Sequence, residues 1–363
     1  MSTRLSTAIG IALALLLGAP AYPQSSSGAA ASPPNPSFVL HTPAGRIERI
    51  TVHGASLVGN LEGDSPDREV LVYLPPSYAK DPGRRYPVIY LLHGFTDTAD
   101  LWFGQKGPHF VVLPNAADLA YAHGVHEMII VMPDSFTKYA GSMYSNSAVT
   151  GNWEGFITHD LVKYIDAHYR TLARPASRGL AGHSMGGYGT LRLAMKYPGI
   201  FSSVYAMSPC CLSANLMPNA TLMASVAQAQ STGNLSKANF GVKAMLASAA
   251  AWSPDPRNPP SYFDLPVMNG KPVPSVIAAW AANSPLAMVY QSISNLETYH
   301  AIAFDAGDRD TAIAGTVRSL DGILTAFGVK HVAKIYQGNH VDHIQQRLET
   351  QVLPYFSDQL SFH

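Results

Sequence analysis

The sequence predicts an α/β fold, a mostly parallel central sheet flanked by helices, with a helical cap inserted late in the chain. Three observations predict it. Short continuous apolar runs, such as residues 86–92 (YPVIYLL) and 127–132 (EMIIVM), suit strands buried on both faces of a parallel sheet. Helical patterns lie between the later runs: in residues 153–169, Phe156, Leu161, Val162, Ile165 and His168 recur near helical spacing. Strands alternating with helices imply right-handed crossovers. Third, Gly182-His183-Ser184-Met185-Gly186-Gly187 stands between an apolar run and a helix-like stretch.

That third feature fits the G-x-S-x-G nucleophile elbow, a strained strand-to-helix turn that exposes a serine hydroxyl at the top of the sheet in α/β-hydrolases. A side chain at Gly182 or Gly186 would clash with the neighbouring helix and strand. The context agrees. Residues 178–181 read as the end of a buried strand, and residues 188–197 (YGTLRLAMKY) as a helix closed by Pro198-Gly199.

Taken in order, the chain opens with Arg4, an apolar core at residues 9–17 and Ala19-Pro20-Ala21, which read as a cleaved secretory signal over residues 1–21. The apolar run is short for a bilayer span, so no stable membrane insertion is expected, and the implied destination is secreted or periplasmic. Residues 22–37, rich in Ser, Ala and Pro, read as a disordered linker. The catalytic domain then runs over residues 38–363. Residues 46–57 and 69–74 read as strands, and 75–78 and 81–83 as turns. The runs 86–92 and 127–132 follow, ending at His93-Gly94 and Pro133-Asp134; residues 201–207, 299–304 and 331–336 supply the remaining strands. Residues 212–286 break the rhythm, show no strand pattern and read as the cap, with Met245, Leu246, Trp252, Phe263, Ile277 and Trp280 packing a small core of its own.

Composition sets outer bounds. The 363 residues are 47% hydrophobic and 13% charged, enough for a large core in one catalytic domain. Lys+Arg and Asp+Glu both number 24, and no basic run or interleaved aromatic patch is present, which argues against a nucleic-acid partner. The two cysteines, Cys210 and Cys211, are adjacent; a disulfide between neighbours is awkward, so they read as two buried small hydrophobes, with a strained vicinal disulfide as the alternative.

A serine hydroxyl needs a histidine base, and the histidine needs a carboxylate to fix its tautomer. The required chain order is Ser, acid, His. Strand 301–304 runs into Asp305-Ala306-Gly307-Asp308-Arg309-Asp310, where three aspartates compete. Asp310 is preferred because a Gly-x-x-Asp turn lifts its carboxylate clear of the strand, Asp308 is second, and the remaining ones read as turn caps or an ion pair with Arg309. His340 leaves the last strand at the required edge and is preferred as base over His343, which reads as lying inside the following helix. Oxyanion donors are expected at the backbone N–H of Met185 and, from the loop after 86–92, of Phe95. His93 and His183 read as structural. His340 with His343, and His123 with His126, lack further soft ligands, so no metal site and no cofactor are expected. Trp102, Trp153 and Tyr188 lie near active-edge segments and are candidate substrate-binding surface, although each is equally an ordinary core aromatic.

The segments YLLHGF with Trp102, GNWEGFITHDLVKYIDAHYRT (151–171), GLAGHSMGGYGTLRLAMKYPGIF (179–201), AFDAGDRD and YQGNHVDHIQQRLETQVLPYF together resemble the esterase D family. That family includes feruloyl and acetylxylan esterases, S-formylglutathione hydrolases, enterochelin esterases and mycolyltransferases. The resemblance implies Ser184 as nucleophile, Asp310 as acid, His340 as base, and Phe95 and Met185 as oxyanion donors. The expected function is a secreted serine carboxylic-ester hydrolase working through an acyl-enzyme, on a small-molecule or polysaccharide-linked ester such as a feruloyl or acetyl ester. Alternatives are acyl transfer of the mycolyltransferase type and an S-formylglutathione hydrolase-like thioesterase. A non-catalytic binding protein is disfavoured by the intact Ser, Asp and His set.

Overall fold

The structure, a computed structural model, describes residues 38–214, 219–233 and 235–363. Residues 1–37, which hold the expected signal sequence and linker, lie outside the described residues.

Eight strands form the central sheet: β1 (Arg46–His53), β2 (Asp67–Leu74), β3 (Val88–Leu92), β4 (Ile129–Pro133), β5 (Arg178–His183), β6 (Ser203–Met207), β7 (Ala301–Gly307) and β8 (Val332–Tyr336). Their order is β1-β2-β4-β3-β5-β6-β7-β8. β2 runs antiparallel to both its neighbours, and every other pair is parallel. The apolar runs behave as their composition demands: β3, β4, β5 and β6 are buried along their whole length. The edge strand β8 is instead largely exposed and carries Lys334, a charge that discourages pairing with another chain.

Each face of the sheet is covered. On one side lie α1 (Leu113–Ala122) and the helix after β8, made of Ile344–Arg347, Leu348–Val352 and Leu353–Gln359 (called α9), around Trp102, Ile130, Ile344 and Phe356. On the other lie α2 (Trp153–Gly155, Phe156–Asp160 and Leu161–His168), α3 (Met185–Lys196), the cap helices α4 (Ala220–Thr232), α5 (Phe240–Trp252) and α6 (Pro274–Ala282), then α7 (Pro285–Leu296) and α8 (Thr311–Ala326). The middle of α2 is a π-turn, Phe156–Asp160.

The cap departs from expectation in two ways. It contains a two-stranded hairpin, Val267–Met268 with Lys271–Pro272, whose connecting Asn269 and Gly270 both have positive φ (49° and 72°). Asn-Gly is the residue pair that such a tight turn favours, a signal present in the sequence but too short to show as a strand pattern. Nor does the cap have a separate core. Met245, Leu246, Trp252, Phe263 and Trp280 join the main cluster, and Trp252 packs against Tyr188 of α3 with ring centres 5.6 Å apart.

Candidate active site

The elbow is held by backbone. Ser184 sits between β5 and α3 at φ 56°, ψ −113°, a conformation that L-residues rarely adopt. Its N–H donates to Met207 O (3.0 Å), and its own carbonyl accepts from Tyr188 N–H (2.9 Å) and Cys210 N–H (3.1 Å). The turn is too tight for side chains beside it. A Cβ on Gly182 would stand 2.3 Å from Gly186 O, and one on Gly186 only 1.9 Å from Leu92 O.

The three expected groups converge. His340 Nε2 lies 2.8 Å from Ser184 Oγ, and His340 Nδ1 lies 2.6 Å from Asp310 Oδ2. Asp310 occupies the N-cap position of α8 without a side-chain capping bond, and its N–H donates to Gly307 O (3.1 Å), so the turn out of β7 leaves the carboxylate free to meet the histidine. The other aspartates do different work. Asp308 Oδ1 accepts from Gly338 N–H (2.9 Å), while Arg309 N–H donates to Gly338 O (2.9 Å), bracing the β7 loop against the β8 loop. Asp305 is fully buried and ion-paired with Arg347 of α9; it also accepts from Tyr205 OH (3.0 Å) and Ser208 N–H (3.1 Å). The expected ion pair of Arg309 with its own loop is therefore corrected: Arg309 pairs with Asp342 (2.8 Å), whose Oδ2 also accepts from Asn339 N–H (2.8 Å). His343 is likewise not inside a helix. It precedes Ile344–Arg347 at φ 60°, because the chain must reverse after His340 before the helix can begin.

His93 and His183 serve as braces. His93 Nε2 accepts from Ser135 N–H (2.9 Å), so the proton is on Nδ1, which donates to Gly94 O (2.9 Å). This fixes the backbone that leads into Phe95. A Cβ on Gly94 would stand 3.6 Å from Ser184 Cβ, so that loop runs directly beside the serine. Met185 is the first residue of α3, where amides lack an intrahelical partner. His183 Nε2–H donates to His340 O (3.0 Å), fixing the backbone of the histidine rather than its ring. Burial, then the neighbouring His340, hold the His183 ring well below the usual histidine range.

That depression has a sign. A base whose folded value is lowered stabilises the fold fully above its ordinary value near 6.5, and that contribution is lost as pH falls below it. Between pH 6.5 and 5 the wild-type stability is expected to fall more steeply than that of His183→Gln, by up to about 1.4 kcal/mol per pH unit. Urea unfolding at several pH values reads the slope, and parallel slopes for the two proteins would contradict it.

Trp102, Trp153 and Tyr188 are corrected as substrate surface. All three are 0–1% exposed. Trp102 Nε1–H donates to the buried Asp97 (2.9 Å), Trp153 Nε1–H to Thr150 O (2.8 Å), and Tyr188 OH to Asn283 O (2.9 Å). Burial pushes the Asp97 carboxyl up, but the neighbouring His109 ring, 3.6 Å away, and the Trp102 hydrogen bond outweigh it and leave it below its ordinary value. Each ring satisfies its polar handle inside the core, and none of the three lines the cavity at Ser184.

The surface around Ser184 comes from elsewhere. A cavity of about 260 Å³ is lined by Phe95, Met143, Ser184, Cys210, Cys211, Phe240, Ala244, Ser248, Asp310, Ile313 and His340. Among the described residues, no charged side chain beyond the Asp310–His340 pair lines it. Phe240, at the start of α5 and 64% exposed, meets Phe95 edge-on with ring centres 5.5 Å apart. No sequence pattern marks Phe240 or Ile313, because the cap and α8 bring them to the site only through tertiary packing. The cysteines are corrected too. They are free thiols packed against the main core, but half-buried rather than buried, and both line the cavity wall. Among the described residues, no group of three His, Cys, Asp or Glu is placed to hold a metal ion, and no helix is long and apolar enough to cross a membrane.

The strand order, the strained elbow after β5 and the groups after β7 and β8 define an α/β-hydrolase. Residues 65–360 match the family model described as "Putative esterase", and the chain belongs to that family. Over 144 residues it is 41% identical to esterase Rv1288 of Mycobacterium tuberculosis, covering 38% of this chain and 28% of that protein. Over 159 residues it is 27% identical to S-formylglutathione hydrolase of Bos taurus, covering 39% of this chain and 51% of that protein. The matches thus span about a quarter and about half of the length of these two relatives. Among solved structures, a ferulic acid esterase superposes with a TM-score of 0.63 at 20% identity, covering 88% of this chain and 100% of that one. An S-formylglutathione hydrolase from Agrobacterium tumefaciens gives 0.54 at 15%, covering 89% and 98%.

Proposed function

We propose that this protein is a serine carboxylic-ester hydrolase, secreted or periplasmic, that acts through an acyl-enzyme. The observation that carries this reading is the unbroken hydrogen-bonded line from Ser184 through His340 to Asp310, opening into an apolar cavity. Ser184 Oγ attacks the ester carbonyl as His340 Nε2 takes its proton. Asp310 holds the Nδ1 proton in place and stabilises the charged ring. The amides of Phe95 and Met185 receive the oxyanion. His340 then protonates the leaving alcohol, and water, activated by the same histidine, releases the acid.

Cavity chemistry narrows the acyl group. With Phe95, Met143, Phe240 and Ile313 on its walls and, among the described residues, no counter-charge beyond the triad, it favours an uncharged acyl group with apolar or aromatic surface. Family membership and the ferulic acid esterase fold are consistent with a feruloyl-type ester, linked to a small alcohol or a polysaccharide. Phe240→Ala is expected to lower kcat/KM for an aromatic acyl ester about fivefold while changing acetyl ester turnover little, since one aromatic contact is worth roughly 1 kcal/mol. Equal losses on both esters would overturn the assignment of Phe240 to the acyl group.

The test of the function itself is covalent labelling. A fluorophosphonate is expected to modify Ser184, found by peptide mapping, and to leave His340→Ala unlabelled. A folded protein that does not label, or labels elsewhere, refutes the proposal. The N-terminal segment is tested separately, by sequencing the mature N-terminus of exported protein.

A further inference from the structure

The loop after β6, Ser208-Pro209-Cys210-Cys211, is tied to the catalytic framework at both ends of its backbone. Ser208 N–H donates to the buried Asp305 (3.1 Å), and Cys210 N–H donates to the carbonyl of Ser184 itself (3.1 Å). In extended backbone, consecutive side chains point to opposite faces. Here Cys211 adopts φ 60°, and the turn carries both side chains to one side, where both line the cavity beside Ser184. Their sulfurs are 2.7 Å apart. The hydrogen bond to Cys211, then burial, push the Cys210 thiol well above its ordinary value, so Cys210 is held protonated beside a partner already in contact.

We propose that Cys210 and Cys211 form a modification site, a dithiol in the wall of the acyl cavity that closes to a vicinal disulfide on reaction with a low-molecular-weight disulfide and thereby alters which acyl groups the cavity accepts. The effect on acyl groups rests on the esterase reading above; the thiol chemistry does not. Cys211 loses its proton to solvent, and its thiolate attacks one sulfur of the reagent, breaking that S–S bond and expelling one reagent thiolate. Cys210 then loses its proton and attacks the Cys211 sulfur, forming the Cys210–Cys211 bond and expelling the second reagent thiol. Two protein thiols are oxidised, one external disulfide is reduced to two thiols, and the two protons pass through solvent to them. Bonding pins both side chains, so the wall facing Ser184 no longer yields to a bulky acyl group.

The experiment uses the full chain, reduced and then treated with 2-hydroxyethyl disulfide. Iodoacetamide uptake by mass, fluorophosphonate labelling of Ser184, and rates on an aromatic and an acetyl ester are read together. Two alkylatable thiols are expected to fall to none without a retained adduct. The aromatic rate is expected to drop about tenfold and the acetyl rate less than about twofold, a contrast of the size that one small change in a pocket produces. Dithiothreitol restores both. Cys210→Ser is expected to retain the reagent as a stable adduct on Cys211, the signature of a missing resolving thiol. The Cys210→Ser/Cys211→Ser protein is expected to keep its own rate under treatment. Should these variants fail to fold, phenylarsine oxide replaces them; one arsenical per wild-type chain should consume both thiols. Two thiols that still alkylate, a mixed disulfide that persists in the wild type, or a formed disulfide that leaves the aromatic rate unchanged each overturns the proposal. Failure of Ser184 to label in the reduced protein overturns the esterase reading while leaving the thiol count intact.

Discussion

Asp310→Asn is expected to lower ester turnover by about 10⁴-fold, the loss typical when a triad carboxylate no longer selects the histidine tautomer. Asp308→Asn, two residues away, is expected to cost less than about threefold. Asp310 Oδ2 stands 2.6 Å from His340 Nδ1 and is its acid partner. Asp308 instead receives the Gly338 amide, and an asparagine Oδ1 accepts that hydrogen bond equally well. Steady-state rates on one activated ester, with circular dichroism to show that both proteins are folded, separate the two. Similar losses for both variants, or the larger loss at Asp308, would reassign the acid.

The second large effect is on stability. Arg347→Met is expected to destabilise the protein by about 3–5 kcal/mol, the cost of leaving a buried carboxylate without its partner. Asp305 and Arg347 are both at most 1% exposed, and the pair also engages Tyr205, Ser208 and Tyr336. The Asp305→Leu/Arg347→Met protein should recover much of the loss, since apolar replacement removes both desolvated charges together. Chemical denaturation of the three proteins reads the comparison. A single variant within 1 kcal/mol of wild type would mean that the pair is not structurally required.

These two predictions mark what the sequence shows and what it hides. Ser184, Asp310 and His340 are legible because each leaves the carboxyl end of a strand, and strands announce themselves as short apolar runs bounded by turn residues. The order of roles among three aspartates on one loop is harder. Asp305 lies within β7 and is buried there with Arg347, a partner 42 residues away whose approach no local pattern encodes. Likewise Trp102, Trp153 and Tyr188 are near the active edge in sequence, yet strand and helix geometry turn them inward to bond Asp97, Thr150 and Asn283. Phe240 does the reverse, reaching the cavity from the cap, a segment that shows only apolar stripes. Side-chain direction in irregular segments follows from packing, and packing is not a local property.

The placement of His340 after the exposed edge strand β8 has a consequence in time. Chains fold as they are synthesised, from the N-terminal side onward. The serine elbow lies near the middle of the sequence, whereas β8, His340 and the α9 residue that pairs with Asp305 are the last parts of the fold to emerge. A chain made past Ser184 but not yet as far as His340 therefore carries the serine with no base beside it. In the proposed mechanism the triad is complete only once β8 pairs with β7 and places His340 beside Ser184.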